Sequence, residues 1–487
     1  MKHVNRRGFL GASLLAAAAG EAEPQEKAPV AAPPGEVTRG LAQWVVESKA
    51  DEIPAAVRKE ATRTLLNWMG CAIGGSGQGA VTCAIEAFAP FSGPGQAAIL
   101  GRSERFDVLH AALINGISSH VLDYDDTHLR TIIHPAGPVA PALLALAEYR
   151  AASGQAVAGK DLLHALILGV EVECRIGNAV YPAHYDAGWH ITGTTGVFGA
   201  AAAAGKVLGL SAQQMTWALG LAAVQPVGLR EMFGTMTKSF HPGRAAQNGL
   251  ASALLAARNF TCSEHALEAK SGWANVLSSA RDYGEITGKP GAGWQVSLNT
   301  YKPFACGIVM HPTIDGCIQL SRENLLTAEQ IAGIELRVAP LVQELTGKKT
   351  PSTGLEGKFS IYHAAAVAIV ERAGGEQQFS DRAVRNAATV ALRQRVTATV
   401  DPKIGEDQVR IRIMLRDGRA LEKVIDHAVG SLAHPMTDTD LEDKFSGLAE
   451  GILPRDQTRR VMDLCWKIGE LPDAGALAQA ARRDNRA

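Results

Sequence analysis

Gln408-Val-Arg-Ile-Arg-Ile-Met-Leu-Arg416 alternates apolar and polar side chains at a period of two, the mark of a strand with one buried face. Asp417-Gly418 follows as a hairpin turn signal before Leu421–Val424, and Ile331-Ala-Gly-Ile-Glu-Leu-Arg-Val338 repeats the alternation. Working outward, the chain from Val37 to about Gly288 has another texture. Ala55-Ala-Val-Arg-Lys-Glu-Ala-Thr-Arg-Thr-Leu-Leu-Asn-Trp-Met69 puts Val57, Ala61, Leu65, Leu66 and Met69 on one helical stripe behind Pro54. Pro141–Ala152, Lys160–Ala179, Val197–Leu208 and Ala245–Arg258 also read as helices, several so rich in Ala and Gly that their axes can pack closely. Phe359–Arg372 is the helix expected beside the strands, and Asp438–Leu448 and Gln457–Ile468 return to helical spacing. The expected fold class is mainly α with an α+β second domain. Residues 1–34 form a leader and linker, 35–294 a large all-helical domain, 295–432 a smaller inserted α+β domain, and 433–487 helices that return to the helical domain.

Composition narrows the function. The 487 residues are 46% hydrophobic, 20% charged and only 5% aromatic, with 48 Lys+Arg against 49 Asp+Glu. A net charge of −1 provides neither a basic footprint for nucleic acid nor an acidic tail. The 7 cysteines are odd in number, scattered, and form no C-x-x-C pair, which argues against a disulfide framework and a thiolate metal site. Lys2, Arg6 and Arg7 precede an apolar, alanine-rich run, so Met1–Gly20 reads as a twin-arginine export signal and Glu21–Pro34 as an extended linker. The apolar run of about a dozen residues falls short of the ~20 that span a bilayer. The expectation is a periplasmic protein with no stable membrane anchor.

The chemistry concentrates in a few stretches. Four of the 14 histidines, His134, His241, His311 and His434, precede proline. The residue before proline is pushed out of helical conformation while proline suits a first helical turn, so each is expected at a loop-to-helix junction. His120-Val-Leu-Asp-Tyr-Asp-Asp-Thr-His-Leu-Arg-Thr-Ile-Ile-His-Pro135 gathers carboxylates and imidazoles that could bind a metal, orient a catalytic histidine or cap helices. Its spacing matches neither H-E-x-x-H nor an EF-hand loop, and no metal is expected. His190 precedes the Thr/Gly-rich entry to an alanine helix, a candidate anion site. Met236-Thr-Lys-Ser-Phe-His-Pro-Gly-Arg244 and Tyr301-Lys-Pro-Phe-Ala-Cys-Gly-Ile-Val-Met-His-Pro312 each join a lysine to a His-Pro pair. Lys238, Arg244, Lys302 and the histidines, His241 among them, could together hold two or three carboxylates, so a small polycarboxylate is the expected ligand.

On these motifs the chain resembles the MmgE/PrpD family. They are Asn115-Gly-Ile-Ser-Ser-His-Val-Leu-Asp-Tyr-Asp-Asp-Thr-His128, His134-Pro135, Gly188-Trp-His190, Lys238-Ser-Phe-His-Pro-Gly-Arg-Ala-Ala-Gln-Asn-Gly249, Lys302-Pro-Phe-Ala-Cys306 and His311-Pro312. The resemblance implies a homodimer whose α+β domain acts as a lid, with a cofactor-free lyase site between the domains. Carried over by motif, the catalytic set falls on Asp123, His134, His190, Lys238, His311 and, in Lys358-Phe-Ser-Ile-Tyr-His363, Tyr362. The leading expectation is dehydration of a 2-methylcitrate-like hydroxy di- or tricarboxylate. His134, oriented by Asp123, would move the proton; Lys238 with His190 or His311 would neutralise the enediolate, and Tyr362 would protonate the leaving hydroxyl. Decarboxylation of a cis-aconitate-like acid and epimerisation of an imino-dicarboxylate pass through related carbanions and stay open. A periplasmic polycarboxylate-binding protein is the non-enzymatic alternative.

Overall fold

The computed structural model describes residues 35–288 and 293–483. The expected leader and linker, residues 1–34, lie outside the described residues. Numbering only the elements that position the site, the helices are α1 (Ala55–Gly75), α2 (Val108–His120), α3 (Ala136–Ala152), α4 (Gly159–Val180), α5 (Ile191–Leu208) and α6 (Thr237–Ala256), then α7 (His311–Glu323), α8 (Ile361–Glu371) and α9 (Asp438–Ala449). Helices α2 to α6 pack on one another around alanine-rich faces, and α9 closes over α1. That closure explains a difference from expectation: α1 is buried nearly all round from Ala61 to Ile73 rather than along one stripe. Asp107 caps α2 by accepting from the Leu109 and His110 amides, and Thr437 forms a capping box on α9.

Helices α3, α5 and α6 begin several residues before the expected Pro141, Val197 and Ala245. Pro141 and Pro242 lie inside their helices, so His241-Pro242 is no helix start. By contrast, His134-Pro135 leads into α3 as the conformational rule requires, whereas His311 is itself the first helical residue of α7, with Pro312 second. Close approach is essential where α2 crosses α6. A Cβ on Gly116 would lie 2.5 Å from the Gly243 Cα, so only glycine allows the two backbones to touch there. The crossing sits one turn before His120 and five residues after Lys238, and so draws both toward one point.

Strands β1 (Asp126–His128) and β2 (Asn299–Tyr301) form a short ladder, and the α+β part carries a four-stranded sheet of β3 (Ile331–Val338), β4 (Val396–Val400), β5 (Val409–Leu415) and β6 (Ala420–Ile425) in the order β4-β3-β5-β6. The β5–β6 hairpin turns at Asp417-Gly418 as expected, with Gly418 at φ +91°. Strand β4 was not anticipated; it pairs parallel to β3, Ile334 opposite Val396. Its Val-Thr-Ala-Thr-Val sequence is β-branched, but it lies at the sheet edge and buries little, so alternation is faint. Helices α7 and α8 pack against each other and onto the sheet. Ile331, Ile334, Leu336, Ile411, Ile413 and Ile425 join Ile361, Ala365 and Ile369 in an apolar cluster of this part. The helical cluster takes in Leu441, Phe445 and Val461 from the C-terminal helices. No helix among the described residues is long and apolar enough to cross a membrane.

Candidate active site

The site begins where α2 ends. His120 closes that helix, and the chain turns at Asp123, which adopts φ +49°. This left-handed conformation is one that Asp tolerates better than most residues. A short antiparallel ladder then pairs Asp126–His128 with Asn299–Tyr301, Asp126 opposite Tyr301. That register brings the next residue, Lys302, back onto the turn. Its Nζ donates to Asp123 Oδ1 at 2.7 Å and to the Asp123 carbonyl at 3.2 Å. From the first turn of α6, Lys238 donates to the same Oδ1 at 2.7 Å, while its Nζ lies 5.3 Å from the ring centroids of both Phe233 and Phe359. One carboxylate oxygen thus accepts from two buried ammonium groups.

The electrostatics follow from that sharing. Burial alone would raise the Asp123 pKa, but Lys238 and Lys302 override it and hold the carboxyl well below the usual range. The two lysines diverge. Burial pulls Lys238 below its ordinary value despite Asp123, whereas for Lys302 the Asp123 and Asp125 carboxylates outweigh burial and raise it. Two ammonium groups and one carboxylate line the cavity, and Asp125, behind the lining, is a second carboxylate acting on both lysines.

Beside the lysines stand three imidazoles, with ring centroids 4.8 Å apart for His120–His134, 5.8 Å for His120–His190 and 6.3 Å for His134–His190. Each engages Nδ1 behind the site. His120 Nδ1 donates to Asp125 Oδ2 at 2.6 Å; His134 Nδ1 donates to the Asp126 carbonyl at 2.7 Å; His190 Nδ1 meets His241 Nδ1 at 2.9 Å. Because a carbonyl only accepts, His134 carries its proton on Nδ1 when neutral and leaves a basic lone pair on Nε2. Burial pushes His134 and His190 well below the ordinary histidine value; the Asp125 carboxylate opposes this at His134, while Lys302 and Lys238 add to it at His134, and His241 and Lys238 at His190. These rings are neutral bases. Their ligand atoms lie within 4.8 Å of one another, so the trio has the donor type for a metal. A tetrahedral zinc with Zn–N bonds of about 2.0–2.1 Å needs roughly 3.4 Å between nitrogens, and two adjacent ammonium groups oppose a cation.

Asp123, His134, His190, Lys238 and Lys302 line one cavity of about 30 Å³, together with Ile132, Tyr185, Phe233, Ile308, Val309 and Phe359. The other expected site residues fall elsewhere. Asp123 does not orient His134, because its carboxylate is taken by the lysines; the Asp126 carbonyl has that role. Arg244, six residues along α6 from Lys238, projects from a different helical face, is exposed, and bonds Gln247. His241 backs His190 rather than lining the cavity. His311 opens onto an adjoining cavity. Tyr362 lies in the first turn of α8, within the apolar cluster of the α+β part, and its hydroxyl meets Gln343 at 3.4 Å. In the Lys358–His363 motif it is Phe359 that lines the cavity. Lys358 ties the Leu122 carbonyl at 2.6 Å, fixing the turn that carries Asp123.

The sequence reading missed His120, Asp125 and Asp126 as individual actors, although all three stand in the cluster it singled out. Asp126 is fully buried; burial first, then Asp125, push it up to about 7, while the Asn299 side chain and the Ala136 amide donate to Oδ2. Spacing does not reveal which of four neighbouring acidic and imidazole side chains face inward.

A helical body and an α+β part thus meet a buried pocket lined by two lysines, one aspartate and neutral imidazoles, groups suited to acid–base chemistry. Residues 39–286 match the MmgE/PrpD N-terminal domain and residues 304–468 the MmgE/PrpD C-terminal domain, so the chain belongs to the MmgE/PrpD family and is an enzyme of the lyase kind. It is 26% identical over 467 residues to a cis-aconitate decarboxylase of Aspergillus terreus, covering 91% of this chain and 95% of that protein. A cis-aconitate decarboxylase-like protein of Aspergillus oryzae is 27% identical over 468 residues, covering 91% and 97%. The human cis-aconitate decarboxylase is 25% identical over 461 residues, covering 91% and 93%.

Proposed function

We propose that the protein is a cofactor-independent decarboxylase of unsaturated polycarboxylates of the cis-aconitate type. The observation that carries the reading is the sharing of Asp123 Oδ1 by Lys238 and Lys302 beside neutral imidazoles. In such a reaction the bond between a methylene carbon and its carboxylate breaks and carbon dioxide leaves. The electron pair forms a new double bond, the old double bond shifts, and charge accumulates as an enediolate on a retained carboxylate before a carbon is protonated. The ammonium groups of Lys238 and Lys302 are placed to stabilise that enediolate. The departing carboxylate becomes an apolar molecule, and Ile132, Ile308 and Val309 offer it an apolar wall. Burial keeps His134 neutral, and the negative charge of an arriving polyanion favours its protonation, so His134 takes up a proton on Nε2 and delivers it to carbon.

Dehydration, the leading expectation from sequence, needs an acid at the leaving hydroxyl. Tyr362, to which that role was given, stands away from the cavity, which favours decarboxylation. Incubation with cis-aconitate and, separately, with 2-methylcitrate in D₂O distinguishes the two. Carbon dioxide release with one deuterium in a new methylene is the expected result, and alkene formation from the hydroxy acid without carbon dioxide would overturn it. Export of a folded homodimer by the twin-arginine route belongs to the same proposal, and cell fractionation with light scattering checks it.

A further inference from the structure

Asp125 lies between two of the three imidazoles. It is fully buried, and its Oδ2 accepts from His120 Nδ1 at 2.6 Å. Its Oδ1 has no hydrogen-bond donor among the described residues and lies 3.6 Å from His134 Nδ1. A buried carboxylate oxygen without a donor weakens a fold, so its presence calls for a use. Burial would raise the Asp125 pKa, but His120, His134 and Lys302 outweigh it and hold the group well below the usual carboxylate range, so Asp125 is an anion. The His134 Nδ1–H is meanwhile given to the Asp126 carbonyl at 2.7 Å, with Thr127 Oγ1 at 3.3 Å. These neutral acceptors orient the ring, but a buried imidazolium also needs a counter-charge. Around the ring stand the Asp123 and Asp125 carboxylates, the Lys238 and Lys302 ammonium groups and the neutral His120 and His190 rings. Of the two carboxylates, Asp123 is held by both lysines, and Asp125 comes to 3.6 Å of a His134 nitrogen.

Resting on the reading that His134 delivers the proton to carbon, we propose that Asp125 is the positioning residue for that step: as His134 becomes an imidazolium, its Nδ1–H passes from the Asp126 carbonyl to Asp125 Oδ1, while His120 holds Oδ2. Closing the 3.6 Å gap to the length of a charge-assisted hydrogen bond takes about 0.8 Å of movement. The proton delivered leaves Nε2 for carbon, where the electron pair of the substrate carbanion forms the new C–H bond, and the N–H electrons stay on Nε2. Nδ1 keeps its proton throughout, and Asp125 remains a carboxylate. Asp125 thus favours the charged ring without touching the substrate.

The test is the pH dependence of Asp125→Asn, which keeps the shape of the side chain and an oxygen for His120. The proton donor must be charged, so kcat falls as pH rises through the His134 midpoint of the complex. Loss of the carboxylate lowers that midpoint by at least about one pH unit, so the fall comes at lower pH. The expected loss in kcat is at least about tenfold near pH 8, narrowing toward about pH 5, with KM within about threefold of wild type. An equal loss at every pH overturns the proposal. His120→Gln keeps a donor for Oδ2 and should leave the midpoint in place; a shift as large as that of Asp125→Asn would assign the effect to His120 and overturn it. Imidazole nitrogen NMR reads the same ring without turnover. Titrated free and saturated with tricarballylate, Asp125→Asn should show a lowered His134 midpoint, and the wild-type Nδ1 proton should move downfield as the ring becomes charged. An unchanged midpoint overturns the proposal whether or not cis-aconitate turns over. A lowered midpoint in a protein that does not turn over cis-aconitate overturns the decarboxylase reading alone.

Discussion

Two buried lysines, Lys358 and Lys444, differ from a third, Lys238, in how completely their ammonium groups are satisfied. Lys358 donates to the Leu122 and Ala305 carbonyls and to Glu376 at 2.6–2.8 Å, and Lys444 to Asn67, the Tyr124 carbonyl and the Lys302 carbonyl over the same range. Each has three acceptors for three N–H bonds, so nothing is left for a ligand. Lys238 has one such partner, Asp123 Oδ1, with aromatic faces around the rest of its ammonium group. The saturated pair, one from the α+β part and one from a C-terminal helix, holds the 121–125 turn in place. The unsaturated lysine faces the cavity. A buried lysine is therefore assigned to structure or to chemistry by its unused hydrogens rather than by its burial.

That contrast is open to direct attack. Lys444→Met removes the donor to three buried acceptors, so a loss of about 3–5 kcal/mol in urea unfolding is expected. A loss below 1 kcal/mol would show that the saturated pair does not hold the turn. His134→Ala and Lys238→Ala should each lower kcat/KM by at least ~100-fold with a melting temperature close to wild type, and near-normal turnover would remove the unsaturated lysine from the chemistry. Gly116→Ala forces α2 away from Gly243 and should lose about 1–3 kcal/mol together with activity, because His120 and Lys238 hang from the two helices that cross there.

A pH experiment probes Asp126. Its pKa near 7 in the folded chain lies above the ordinary 3.8, so the folded state keeps a proton that the unfolded state releases. That contribution is fully present at low pH and is lost as pH rises from about 4 to about 7, and Asp126→Asn should flatten this part of a melting-temperature profile. The smallest change is expected from Arg244→Ala, since Arg244 is exposed and turned from the cavity. An effect above about twofold on kcat/KM would reopen its place in substrate binding.

Much of the fold was legible. Helical spacing marked α1, and period two with Asp417-Gly418 marked the β5–β6 hairpin, because an amphipathic element writes its buried face into the chain. The parallel edge strand β4 and the early starts of α3, α5 and α6 were not. An edge strand buries too little to alternate clearly, and prolines inside α3 and α6 resemble helix starts. Within the site, the densest cluster of histidine and aspartate did mark the chemistry, but the pairing inside it differed. Asp123 was expected to serve His134 and serves two lysines from segments 115 and 179 residues away in sequence.

By itself the sequence determined the helical and strand texture, the family, and the residue types of an anion site, since these depend on local periodicity and on motifs within a few residues. Only the tertiary structure decided which carboxylate meets which cation, that Tyr362 and Arg244 stand apart, and that His311 opens onto an adjoining cavity. Those features arise where α2 crosses α6 and where the Asp126–His128 ladder meets Asn299–Tyr301, contacts between distant segments that local periodicity does not encode.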